Sequence, residues 1–247
     1  MNAEPIRTAP FRAGWSGSVD ASLALQRGNV ETLDASTVGR VQYQTLHPRA
    51  ASNAPELAVP YVAQRAVLIA SARYADVRGE ATVSRAFAHA RWTGMWDRSV
   101  GTDLFAQVQY DAFLHLELRV VTGLGARLEL VHLREVLVSV GTAYMLEHDR
   151  IDIDEDAPDP RTRFEHRWAN SLTLRLSLFD DGLLVQSATY YQPRFDALDD
   201  FRLLEELEVL GRVHEAVALG ATFAVLYDSA PPTGVRDTDV RLATTLR

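Results

Sequence analysis

The chain has 247 residues, no cysteine and a formal net charge of −8 at neutral pH. The lack of cysteine excludes disulfides and thiolate metal sites, and the negative charge argues against a nucleic-acid binder, which presents a basic surface. No run of 18 apolar residues occurs, which excludes a membrane-spanning helix but not a membrane barrel, whose strands need only one apolar face.

The first 13 residues are expected to be an N-terminal extension that precedes the fold. They contain no apolar core segment of the kind that an export signal carries, so we expect that the signal has been removed from this chain. Residues 14–247 are expected to form one domain, because no solenoid repeat or low-complexity linker interrupts them.

Apolar and polar residues alternate with period two from Trp15 onward. Trp15, Val19 and Leu23 stand at odd positions, with Ser18 and Asp20 at even positions between them. Because successive side chains of a strand point to opposite faces, the pattern predicts a strand with one apolar face. The pattern recurs between turn-like segments and predicts twelve strands, at 14–26, 30–46, 61–74, 79–92, 102–112, 116–130, 135–148, 163–178, 183–193, 200–211, 217–228 and 236–247.

Two features favour a membrane barrel over a soluble one. Many predicted strands exceed the usual length of about 5–6 residues and reach the roughly 9–11 that a membrane crossing needs. The polar face is also too charged for the core of a soluble barrel. The predicted fold class is therefore an all-β, antiparallel, up-and-down transmembrane β-barrel of about 12 strands. A soluble β-sandwich or ligand-binding barrel remains the alternative, because it shows the same alternation.

The charged face of such a barrel lines its lumen. Arginines and carboxylates look nearly balanced on this face, so we expect ion pairs between neighbouring strands that narrow the lumen. A small-solute channel, in which the same charges select what passes, is the alternative. The residues predicted to line the lumen are Asp20, Arg40, Arg85, Arg91, Glu117, Arg119, Arg127, Arg175, Glu206 and Arg241.

The acidic segment 149–156 has carboxylates at alternate positions, as some calcium sites do. It lacks the glycine that lets a calcium loop turn sharply, and Pro158 follows closely. We therefore interpret it as a solvated surface loop and expect no metal and no cofactor.

An enzyme hypothesis rests on His166 and Asn170, which share the outward face of one predicted strand with Thr142 on its neighbour. A hydroxyl, a histidine and an asparagine could act as a lipid-facing hydrolase. The chain has no GxSxG, GxxxxGK or HExxH motif, so we expect no catalytic residues and no enzyme.

Several segments resemble a known family, the salt-induced outer-membrane proteins. They are GWSGSVDASLALQRGNVETLDAS, LFAQVQYDAFLHLELRVVTGLGARLEL, VSVGTAYMLEHD, YYQPRFDALDDFRL and YDSAPPTGVRDTDVRL, which cover the chain from about Trp15 to Leu246. The resemblance implies a Gram-negative outer-membrane barrel of unassigned function. Its expected partners are outer-membrane lipid, lipopolysaccharide and other envelope proteins, with no nucleic acid. The chain ends on Leu246-Arg247 rather than on the aromatic residue common in such barrels.

Overall fold

The computed structural model describes residues 13–28, 31–46, 62–133, 135–152, 160–214 and 217–246. Twelve strands form one antiparallel sheet, and the only helical element in these ranges is a 3-10 turn at Ala112–Leu114. No helix in the described ranges is long and apolar enough to cross a bilayer. The strands are β1 Gly14–Gln26, β2 Thr32–Leu46, β3 Val62–Val77, β4 Glu80–Met95, β5 Val100–Asp111, β6 Leu116–His132, β7 Val136–Ile151, β8 Thr162–Leu178, β9 Leu183–Pro193, β10 Phe201–His214, β11 Val217–Asp228 and β12 Thr238–Leu246.

The topology is up-and-down, since each strand pairs with its neighbours in sequence and the order runs from β1 to β12. Most connectors are short. Between β3 and β4 only Arg78 and Gly79 remain, with φ angles of 56° and 82°. Positive φ at both central residues is the geometry of the tight hairpin turn that matches strand twist. The predicted fold class, an all-β antiparallel up-and-down sheet of twelve strands, is confirmed.

The sheet curls so that one of its faces is enclosed. Arg202 on β10 contacts Glu147 on β7, although β8 and β9 lie between them in the sheet. Likewise, Leu116 of β6 and Asp239 of β12 line one cavity, although five strands lie between them in the sheet. Side chains therefore meet across an interior, and the sheet has an enclosed face and an outer face.

The outer face carries the apolar series that alternation predicted. Leu23, Val108, Leu124 and Phe223 are all exposed large hydrophobic residues. Aromatic side chains are frequent on this face near strand ends. At the end where β7 joins β8 they are Tyr74, Tyr110, Phe164, Tyr191, Phe201 and Tyr227, and at the opposite end Trp15, Tyr43 and Trp92. Tyr144 and Trp168, which pair with each other, lie nearer the middle of their strands.

The enclosed face differs from prediction because it is not uniformly polar. Val67, Ile69 and Phe87 form one buried apolar cluster, and Val121 and Met145 belong to another. These side chains fill the middle of the interior between charged groups. Their presence also explains why β3 and β4 alternate weakly in sequence, since both faces of these strands carry apolar residues.

Strand ends also differ from prediction. Strand β7 continues to Ile151 rather than ending at 148, so Asp149 lies in a strand and not in the acidic loop. The backbone pairing of Asp149 with both Arg119 and Arg163 extends the strand. Two other predicted segments lie partly outside the described ranges: residues 1–12 of the N-terminal extension and residues 153–156 of the acidic segment.

Candidate functional site

A buried ion-pair network crosses the enclosed interior toward the end where β7 joins β8. Arg119 of β6 donates to both carboxylate oxygens of Asp149, at 2.8 and 2.6 Å. Arg202 of β10 donates to Glu147 and, at 2.8 Å, to Asp228 Oδ2. Arg119 Nε also lies 3.5 Å from Glu147 Oε1. These five residues, called the crossing network below, join β6, β7, β10 and β11 through side chains.

The sequence builds this network from period-two spacing and register. Glu147 and Asp149 are two residues apart on β7, so both point to the enclosed face. Asp149 pairs in register with Arg119, and Asp228 pairs with Arg202. Each guanidinium thus meets one carboxylate on the adjacent strand. Glu147 supplies the contact that spans the interior.

A second group of charges lies beside the crossing network. Arg167 of β8 donates to Glu165 at 2.9 and 2.6 Å, to Asp200 at 2.9 Å and to the carbonyl oxygen of Gln192 at 3.0 Å. The Arg167 side chain is only 2% exposed, so its guanidinium group is buried inside the protein. The pairing fixes the 194–200 connector, which carries Asp200, onto the strand wall.

The same connector holds an exposed ion pair. Arg194 donates to both oxygens of Asp196, at 3.0 and 2.6 Å, and also to Asp200 at 3.0 Å. The hydrogen bonds that Arg194 donates to Asp196 lower the pKa of Asp196 from its ordinary value, and they are also the main cause of the raised pKa of Arg194.

A third group lies nearer the opposite end of the enclosed face. Arg127 Nη2 donates to Ser139 Oγ at 2.7 Å, and its guanidinium lies 3.8 Å from carboxylate oxygens of both Asp103 and Glu129. Thr93 Oγ1 donates to Asp103 at 2.5 Å. Both ends of the interior thus carry paired charges, with the apolar clusters between them.

Two small cavities lie in the interior formed by the described residues. One cavity of about 50 Å³ is lined by apolar and polar side chains that include Phe105, Met145 and Gln107. A second, of about 60 Å³, lies under the connector 229–237, where Pro231 and Pro232 line it. Arg119 and Arg202 line both cavities, so the crossing network is the partition between them. Each volume has room for a few water molecules.

The residues predicted to line the lumen fall into three sets. Arg91, Arg119 and Arg127 lie in the enclosed interior, Arg91 with its guanidinium 5.5 Å from the centre of the Phe105 ring. Four further side chains point to the same face but are only partly buried: Arg40, Arg85, Arg175 and Glu206. Of these, Arg40 donates a hydrogen bond to Gln42 on the same strand. Exposed positions are Asp20, Glu117 and Arg241.

Glu117 departs from the predicted placement for a local reason. The register of β6 against β7 shifts between Leu116 and Leu118, which leaves Glu117 in an irregularity. Leu116 turns into the interior and Glu117 becomes exposed, where it pairs with Arg150. An extra residue in one strand reverses the faces of the residues beyond it.

Sequence reasoning missed the partners in the crossing network. Arg119 was expected among the lining residues, but the role of Glu147 as a bridge to Arg202 was not. The contact joins strands that are not adjacent, and alternation only relates neighbours. The sequence does contain one signal for this network: Glu147 and Asp149 are two residues apart, so alternation places both carboxylates on the same face of the strand.

The outer-face residues of the enzyme hypothesis do form hydrogen bonds, but not as a catalytic relay. Thr142 Oγ1 donates to Asn170 Oδ1 at 3.0 Å and accepts from the Trp168 indole at 2.6 Å. His166 Nδ1 is hydrogen-bonded to the Tyr144 hydroxyl. Asn170 donates to the carbonyl oxygen of Trp168 at 3.2 Å, so it does not orient His166. Within the described ranges no group of three or more potential metal-ligating side chains is found.

Comparison with known proteins gives a family without an assigned function. No curated protein matches the chain. Among solved structures, a rhombohedral crystal form of the NanC porin aligns with a TM-score of 0.46 and 5% identity, over 94% of this chain and 98% of the porin chain. The narrower resemblance to salt-induced outer-membrane proteins remains a prediction. Residues 19–247 match the family model described as "Protein of unknown function, DUF481", and the chain belongs to that family.

Proposed function

We propose that this protein is a non-enzymatic barrel of the bacterial outer membrane whose lumen is closed by ion pairs. In this proposal it acts as a structural or docking element of the envelope and not as an open pore. The observation that carries it is the crossing network, which connects strands on separate parts of the wall through the interior.

The outer face supports a membrane position. Leu124 is 58% exposed and Leu242 is 71% exposed, and similar residues follow the outer face from strand to strand. Soluble monomers rarely expose a contiguous apolar surface of more than a few hundred Å². A lipid environment accounts for such a belt, and the aromatic residues near both strand ends match interfacial girdles.

The enclosed face supports a closed lumen. The Glu147 side chain is 2% exposed and that of Arg202 is 5% exposed, so little water reaches either charge. Buried charges persist in a protein when they are paired and hydrogen-bonded, as these are. A solute that crossed the interior would have to separate them, which costs several kcal/mol. An open small-solute channel would need this network to rearrange.

Lipid, lipopolysaccharide and other envelope proteins are the partners that this proposal implies. They would meet the apolar outer face or the connectors. Among the described residues, the hydroxyl hydrogen-bonded to the His166 ring is that of Tyr144, a phenol on the same outer face. We therefore assign no catalytic role to this face.

Spin labels on single cysteines test the membrane position, because the chain has no cysteine of its own. Labels at Leu124→Cys and Leu172→Cys should collide with oxygen dissolved in lipid and be shielded from a water-soluble nickel chelate. A label at Arg98→Cys, in the connector between β4 and β5, is the matched control and should meet the chelate. Free access of the chelate to position 124 or 172 in reconstituted vesicles would reject the proposal.

A further inference from the structure

The apolar outer face of β9 and β10 contains a carboxylate held in a fixed position. Glu205 lies on β10 between Leu203 and Leu207, at the outward positions that alternate with the buried Arg202 and Leu204. Ser187 Oγ donates to Glu205 Oε1 at 2.7 Å. Thr189 Oγ1 donates to Glu205 Oε2 at 2.5 Å. Both hydroxyls belong to β9, so the adjacent strand fixes the carboxylate on the outer wall.

An aromatic row lies next to this carboxylate. Leu203 pairs in register with Tyr191 on one side and with Tyr227 on the other. The ring of Phe201 joins these two, with centroid distances of 5.4 Å to Tyr191 and 5.5 Å to Tyr227. Glu205 is two residues further along the same face, about 7 Å at the usual rise of a strand. Leu203 is therefore surrounded by three rings and one carboxylate.

The chemistry of this cluster selects a cation. Aromatic faces carry negative charge density and attract ammonium groups, and a carboxylate does so more strongly. An anionic headgroup would be repelled by the same residues. A carboxylate that faces hydrocarbon is unfavourable, but just below an aromatic girdle it lies at the depth where lipid headgroups begin.

We propose that Ser187, Thr189, Tyr191, Phe201, Glu205 and Tyr227, called the ammonium site, bind the headgroup of an ethanolamine phospholipid. The primary ammonium donates to the lone pairs of Glu205 that the two hydroxyls leave open, and the rings of Tyr191 and Tyr227 flank it. The inference rests on the proposed function, since it requires the chain to lie in a bilayer.

Native mass spectrometry of the full chain, released from nanodiscs, tests this site. The discs contain equal parts of phosphatidylethanolamine and phosphatidylglycerol with the same acyl chains. We expect the wild-type protein to retain the ethanolamine lipid over the glycerol lipid by about three- to tenfold, the range of one exposed cation–π contact with an ion pair. Glu205→Gln keeps the shape of the side chain and should abolish the preference. Tyr227→Leu should weaken it.

Glu117→Gln is the matched control, because Glu117 is another exposed carboxylate and lies on β6, far from the ammonium site. It should retain the wild-type preference. An N-acetylated ethanolamine lipid, which lacks the ammonium, should be retained no better than phosphatidylglycerol by any variant.

The outcomes separate this inference from the proposed function. A protein that inserts into the discs but shows no ethanolamine preference, or keeps it in Glu205→Gln, overturns the ammonium site alone. In that case the hydroxyls of Ser187 and Thr189 serve only as hydrogen-bond donors to the Glu205 carboxylate. A protein that stays in water and does not enter discs overturns the membrane proposal and the ammonium site together.

Discussion

Replacing Arg202 by methionine should strongly destabilise the protein. Arg202 bonds to Glu147 and Asp228, and its own side chain is 5% exposed. The methionine fills similar space but leaves both carboxylates without this cation. Removing one partner of a buried ion pair costs about 3–5 kcal/mol, because the other charge remains buried.

The structure indicates the lower end of that range. Glu147 keeps the guanidinium of Arg119 at 3.5 Å. Asp228 keeps a hydrogen bond from the backbone N–H of Ala230 at 3.1 Å, and its side chain is 20% exposed. We therefore expect a loss of about 3 kcal/mol in the free energy of unfolding. Adding Glu147→Gln to Arg202→Met should recover part of this loss, because it removes one of the two carboxylate charges that the first substitution leaves without Arg202.

Urea unfolding in lipid vesicles, followed by tryptophan fluorescence, measures the change. Arg150→Met is the matched control, since Arg150 pairs with Glu117 at an exposed position and should matter little. If Arg202→Met unfolded at the same urea concentration as wild type, the crossing network would not stabilise the barrel and the reasoning would fail.

Three further predictions concern the outer face and the connectors. Leu124→Arg, midway along β6, should lower the free energy of unfolding in lipid by about 2–4 kcal/mol. Leu130→Arg, near the end of the same strand, should lower it by only about 0–1 kcal/mol. Equal effects of the two substitutions would contradict the placement of Leu124 at the membrane midplane. The protein should release no fatty acid from phospholipid vesicles, and turnover that disappears in His166→Ala would establish an enzyme. Hydrogen bonds from the N–H groups of Ser99 and Val100 lower the pKa of Asp97. The ionised Asp97 therefore stabilises the connector above the pKa that Asp97 has in the unfolded chain, and this stabilisation is lost as the pH falls through the lower pKa of the folded protein. An NMR titration that gave the Asp97 carboxyl a pKa at or above 3.8 would contradict this prediction.

The sequence predicted most of the fold because strands with one apolar face carry a strong local signal. All twelve predicted strands are present, and the outward positions of Leu124 and Phe223 follow from period two alone. Strand ends were less predictable. The acids after 148 resemble a loop, but in the structure Asp149 continues β7 because Arg119 and Arg163 lie beside it.

The candidate site was predicted only in part, because alternation assigns a residue to a face but not to a partner. Arg127 with Asp103 is a contact between neighbouring strands, of the kind that was expected. Arg202 with Glu147 depends on how the sheet curls, which no local pattern encodes. The displacement of Glu117 depends on a register shift that the sequence does not mark.

Conductance across a planar lipid bilayer tests the closed lumen most directly. With the wild-type protein inserted, we predict no resolved single-channel steps, because the ion pairs of Arg119, Glu147, Asp149 and Arg202 lie between the two small cavities described above. Arg202→Met should produce steps, since it removes the cation that joins β10 to β7. Large, stable steps from the wild-type protein would contradict the closed lumen and would favour a small-solute channel.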